Sequence, residues 1–222
     1  MSVEMVLAST SNRGRGAISI VWAGSILVTW FVIANALDQG PFQQQTSRSL
    51  VRFGALLGSD FNPSQSWRLI ASQWLHVNFK HMVFNALVIA VVGFALERWI
   101  RGTVVLLAGI AGGALAQWAT VHAYLNAYIS GASQAYLVLC GMALAIFPFR
   151  KPRQLLALVA AVGAVAIAAG LDLLVSDHRA IKVGHLVGLV FGLGAGIWFR
   201  ELLRLQQKRR VPAENVAEKY HP

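Results

Sequence analysis

The stretch Lys182–Gly196, KVGHLVGLVFGLGAG, decides the fold. Continued to residue 203 it is apolar over the length of a membrane-crossing helix, yet it carries His185 near its start and glycines at 184, 188, 192 and 196. A polar group at membrane depth is costly and is usually functional. Gly188, Gly192 and Gly196 follow His185 at i+3, i+7 and i+11, which puts them on nearly the same helix face. With Gly184 they form successive GxxxG steps, the pattern that lets two helix backbones approach closely in a membrane. The face carrying His185 is therefore predicted to pack tightly on a neighbouring helix. The plainer alternative is a histidine satisfied by a loop carbonyl, with glycines used for packing alone.

Working outward, the chain has 222 residues, of which 56% are hydrophobic and only 13% charged, with a mean hydropathy of +0.58. This is the composition of a membrane protein. Apolar stretches of spanning length fall at about 17–36, 76–96, 103–124, 133–148, 155–175 and 183–203, and predict an all-α membrane protein with six transmembrane helices. The fourth is short, and His76, Lys80, His81 and Asn85 interrupt the second. Residues 1–16 read as a polar tail, 17–203 as the helical domain and 204–222 as a basic tail trailing into solvent. The connection 37–75 mixes Phe53, Leu57, Trp67 and Leu69 with Gly54, Gly58 and Pro63, which predicts a folded loop or short interfacial helices.

Counting Lys and Arg on alternate sides puts thirteen of 19 with the two termini and six opposite, so both termini are expected in the cytoplasm. Segments four and six then start near the external face. Arg13 and Arg15 precede an apolar run ending at Ala34-Asn35-Ala36 in the manner of a signal peptide, but the run from Ala17 to Ile33 exceeds a usual signal core and is read as a span. The net charge of +10 lies in cytoplasmic turns and the sequence LLRLQQKRR, where anionic lipid headgroups account for it, and nucleic-acid binding is set aside. The single cysteine, Cys140, lies within segment four and offers no disulfide framework.

Ser133, in ISGASQAYLVLCG (129–141), opens segment four beside the unpaired backbone donors of a first helical turn. A serine there can simply cap its helix. Serine becomes a nucleophile when a base stands within hydrogen-bond reach, and histidine is the usual base. Ser133 and His185 start different helices at the same end, so a tight contact between those helices would join them. In HVNFKHMVFN (76–85), His81 and Asn85 share one helix face, with His76 about a turn earlier, and such donors can stabilise an oxyanion, a task worth roughly 3–4 kcal/mol each. Zinc is disfavoured, since the HExxH spacing is missing and the step from His76 to His81 splays the rings. Asp172 and Asp177, at the external end of segment five, are read as lining the loop, which leaves a Ser133-His185 dyad. Together these features point to hydrolysis within the membrane.

At this point residues 50–200 resemble the rhomboid family of intramembrane serine proteases. RFGALLGSDFNPSQSWRLIASQWLH (52–76) is similar to the family's first external loop with its Trp67-Arg68 pair; HVNFKHMVFN fits the pattern HxxxxHxxxN, followed by Gly93 and Glu97; GASQ resembles GxSG; and GHLVGLVFG resembles HxxGxxxG. The resemblance implies Ser133 as nucleophile and His185 as general base. It implies an oxyanion hole from the Ser133 amide, His81 and Asn85, and structural or gating roles for His76, Glu97, Trp67, Arg68, Gly188 and Gly192. It further implies no cofactor or metal, membrane lipids as surroundings and single-span membrane proteins as substrates, cut near the external face. An integral protein of a bacterial cytoplasmic membrane is expected, and a homo-oligomer is left open. Two positions depart from the family pattern: Gln134 replaces the glycine after the nucleophile, and Leu137 stands where many members carry a tyrosine, with Tyr136 one place early. The alternative function is a catalytically silent member that binds transmembrane helices. A transporter would call for inverted repeats and broken midplane helices, which the sequence lacks.

Overall fold

The computed structural model describes residues 17–147, 152–175 and 179–218. The polar tail 1–16, the end of the basic tail at 219–222 and Asp177 lie outside them. The helices are α1 (Ala17–Ala36), α2 (Ser47–Leu50), α3 (Arg68–Ala71), α4 (Phe79–Leu96), α5 (Gly102–Ala123), α6 (Ser133–Ile146), α7 (Pro152–Gly170) and α8 (Val183–Glu218). A π turn, Leu171–Val175, prolongs α7. Five of these helices are long and apolar enough to cross a membrane, namely α1, α4, α5, α7 with its π turn, and α8. The fourth expected span, α6, is an apolar helix of 14 residues.

That short helix is the centre of the molecule. Every residue of α6 except Leu144 and Ala145 is buried, and α4, α5, α7 and α8 all pack around it. The outer helices turn large apolar side chains outward instead, among them Val28, Leu87, Leu107, Leu156 and Leu174. Apolar surface outside and inside alike is what a hydrocarbon solvent permits.

The glycine stripe works as its spacing predicts. A Cβ on Gly188 would lie 2.7 Å from the Gln134 carbonyl oxygen, and one on Gly192 would collide with the Val138 carbonyl group. Reciprocally, a Cβ on Gly141 of α6 would sit 2.5 Å from the Leu189 carbonyl oxygen of α8. The two backbones touch directly, which sets α6 and α8 in a fixed register.

Two boundaries differ from the expected ones. The second span starts at Phe79 rather than 76, because the Asn78 side chain caps the helix by accepting from the amides of Lys80 and His81. The last helix runs on to Glu218 instead of ending near 203, through a stretch rich in the strong helix formers Leu, Arg, Gln and Lys.

The loop between α1 and α4 is ordered. It holds α2, α3 and several 3-10 turns, and its strand β1 (Leu56–Leu57) pairs antiparallel with β2 (Tyr128–Ile129), just before α6. Arg68 fastens the loop by donating through Nη1 to the carbonyls of Val51 (2.5 Å) and Ala55 (3.0 Å). Its guanidinium also lies 4.8 Å from the centre of the Trp67 ring. At the far end of α4, the buried Glu97 carboxylate accepts from the amide (2.6 Å) and hydroxyl (2.5 Å) of Ser19, joining α4 to α1.

Candidate active site

The turn before α6 is held through the backbone groups of Gly131 and Ala132. Gly131 adopts φ +114°, a left-handed conformation that favours glycine. Its N–H donates to the Ser72 carbonyl (2.9 Å), and its own carbonyl accepts from Gln117 Nε2 (3.2 Å). The Ala132 N–H donates to His76 Nε2 (3.2 Å). Ser133 is thereby delivered as the first residue of α6, which has no side-chain cap. The hydroxyl and the first-turn amides stand at the positive end of the helix dipole.

His185 enters from α8. Its Nε2 is 3.0 Å from Ser133 Oγ, across 52 residues of sequence. The opposite ring nitrogen, Nδ1, lies 2.6 Å from Asp172 Oδ2. The sequence reads Asp172 as lining the loop; the structure instead places its carboxylate against the histidine, from the π turn after α7. The signal that could have found it was its isolation as an acid in the apolar run AVAIAAGLDLLV.

These groups line a cavity of about 610 Å³ together with His81, Phe84, Gln134, Tyr136 and Lys182. A groove of about 840 Å³ near the opposite end, along Ile20, Phe94, Arg98 and Gln154, contains none of them. His81 thus faces the same space as Ser133. Asn85 is fully buried and does not line the cavity; its amide nitrogen donates to His76 Nε2 at 2.9 Å. Trp67, Arg68 and Glu97 also lie outside the cavity wall, and Gly188 and Gly192 contribute by bringing α8 onto α6.

His76 sits in the loop ahead of α4 rather than on it. Its Nε2 receives both Asn85 and the Ala132 amide, so the hydrogen resides on Nδ1, 3.3 Å from the Trp74 carbonyl oxygen. Burial, reinforced by the nearby His81, pulls its pKa down to about 3. The ring is therefore neutral at ordinary pH and buttresses the turn that presents Ser133.

Gln134 forms a polar relay whose direction is fixed by its far end. The Gly131 carbonyl can only accept, so Gln117 presents Nε2 to it and turns Oε1 toward Gln134. Gln134 answers with Nε2 (3.4 Å), which leaves its Oε1 facing the Ser133 hydroxyl at 3.1 Å as an acceptor. The one hydroxyl hydrogen of Ser133 is consequently contested by Gln134 Oε1 and His185 Nε2. Tyr136 packs edge-to-face on Phe84, with ring centres 5.8 Å apart, and Leu137 is buried in the core.

A bundle of apolar helices around a recessed serine, histidine and aspartate defines a class: a polytopic membrane protein with the constellation of a serine hydrolase. A rhomboid domain matches residues 63–202, and the chain belongs to the rhomboid family. It is 30% identical over 175 residues to "Rhomboid-like protease 2" of Toxoplasma gondii, covering 76% of this chain and 60% of that protein. Over 195 residues it is 29% identical to "Rhomboid-like protease 1" of the same organism, covering 83% of this chain and 65% of that one. Over 111 residues it is 34% identical to "RHOMBOID-like protein 6, mitochondrial" of Arabidopsis thaliana, covering 47% and 34%. The chain thus spans less than two thirds of the length of these relatives. At the level of the family, the protein is an integral membrane protein of a protease lineage.

Proposed function

We propose that the protein is an intramembrane serine endopeptidase that cuts transmembrane segments of single-span membrane proteins near the external face. The observation that carries this reading is the 3.0 Å approach of Ser133 Oγ to His185 Nε2 inside a cavity shared with His81. A helix of 14 residues is about 21 Å long, against a hydrocarbon core of about 30 Å, so Ser133 at its start lies recessed within the membrane. The cavity gives water a path to it. Positive-inside bias supports cytoplasmic termini and an external cavity.

In the reaction, Ser133 Oγ attacks the scissile carbonyl carbon while its proton passes to His185 Nε2. The carbonyl oxygen becomes an oxyanion beside the Ser133 amide, at the helix N-terminus, and the His81 side chain. Asn85, whose amide nitrogen is committed to His76 outside the cavity wall, supports that ring in place. Collapse breaks the C–N bond, His185 returns the proton to the leaving amine, and water hydrolyses the acyl-enzyme by the same route in reverse.

The test is cleavage of a single-span reporter co-reconstituted in liposomes. Wild type should give two fragments and Ser133→Ala none, with the reporter still captured; equal cleavage by both would overturn the assignment. A silent helix-binding protein is the second reading, favoured by the hold of Gln134 on the serine hydroxyl. It predicts capture without fragments from either form.

A further inference from the structure

We propose that Asp172 is the third member of this site, a positioning residue that fixes the hydrogen of His185 on Nδ1 and carries the countercharge when Nε2 accepts the serine proton. The inference rests on the protease reading and deepens it.

The placement of Asp172 is specific. It is the one buried residue of the π turn Leu171–Val175; its neighbours are exposed, Leu174 at 81%. A π turn inserts an extra residue into the helical repeat and re-aims the side chains around it, and such turns recur at functional sites. Here the effect is to point a carboxylate inward, among leucines that face lipid.

Its hydrogen bonding determines what it can do. Oδ2 accepts from His185 Nδ1 at 2.6 Å and from the Lys182 backbone N–H at 3.0 Å, while Lys182 Nζ lies 3.4 Å from Oδ1. A carboxylate oxygen offers no hydrogen, so Nδ1 must carry one, and Nε2 then presents its lone pair toward Ser133. The competing explanation is that Asp172 merely ties α7 to the start of α8 through Lys182.

Two substitutions separate these roles. In Asp172→Asn, the amide oxygen keeps the place beside the Lys182 N–H, because an NH2 group there would meet a fixed backbone donor, whereas at the Oδ1 place it meets the Lys182 ammonium, which is half exposed and free to turn away. The ring hydrogen therefore stays on Nδ1 and only the charge is lost. In Asp172→Ala both the acceptor and the charge go. With the liposome reporter and a fluorophosphonate probe, Asp172→Asn should lower kcat by about 10-fold and Asp172→Ala by about 100-fold or more, the Asn loss staying below the ~10⁴-fold that follows in a soluble serine protease when the same change leaves the histidine in the wrong tautomer. KM should stay within about twofold in both, since substrate binding is untouched. The labelling rate of Ser133 should fall in step with kcat.

Folded variants with kcat and labelling rate at the wild-type level would overturn the proposal. So would a joint change of kcat and KM accompanied by a lower melting temperature, which is the signature of a structural tie. If wild type neither cleaves nor labels, the protease reading fails and takes this inference with it; if wild type is active and both variants match it, the inference alone fails.

Discussion

Replacing Gln134 with alanine should make Ser133 more reactive and the protein less stable. The Ser133 hydroxyl has one hydrogen and two acceptors, Gln134 Oε1 at 3.1 Å and His185 Nε2 at 3.0 Å, and only the second arrangement is ready for attack. At parity, half the molecules are competent and removing the competitor doubles the rate. If the relay through Gln117 favours Gln134 by one net hydrogen bond, about 1 kcal/mol, about one molecule in six is competent and the gain is about sixfold. The expectation for Gln134→Ala is therefore a labelling rate about two- to sixfold above wild type. The same change strips the donor from Gln117 Oε1, a fully buried group, at a cost of about 1–3 kcal/mol in stability. The assay is the second-order rate of fluorophosphonate labelling in detergent, read beside a thermal melt of the same samples. A rate equal to or below wild type in folded protein would refute the relay argument and make Gln134 a wall of the cavity rather than a competitor.

Two further predictions concern the scaffold. Because the folded state holds His76 neutral, with a pKa of about 3, the unfolded chain binds a proton below about pH 6.5 that the folded chain does not; stability should fall as pH drops from 6.5 toward 3, by at most roughly 5 kcal/mol. Thermal melts over that range should show a steeper decline for wild type than for His76→Gln, and parallel curves would contradict the neutral-ring account. Gly192→Ala should push α8 off Val138 of α6, costing about 1–3 kcal/mol and, by displacing His185 from Ser133, lowering kcat on the order of 100-fold; unchanged kcat would show that the register does not depend on this contact.

The main features of this arrangement could be read in the sequence because a membrane simplifies the code. Apolar length marked the spans, and the stripe of Gly188, Gly192 and Gly196 beside His185 announced a close helix contact. What the sequence does not show is which single side chains a departure from regular geometry re-aims. Asp172 reaches His185 through a π turn, so no 3.6-residue pattern connects them. The apolar run puts His76 on a helix, but Asn78 caps α4 after it and frees it to support the Ala132 turn. Gln117 is one of a few polar residues in the long apolar α5, and its value emerges only when α6 brings Gln134 alongside.

The central claim is that His185 activates Ser133. Its most direct test is peptide mass spectrometry of the folded, detergent-solubilised protein after fluorophosphonate treatment. The expected result is a phosphonyl adduct on the peptide containing Ser133 in wild type, and none in Ser133→Ala or His185→Ala. An unmodified wild type, or an adduct that forms as fast in His185→Ala, would contradict it.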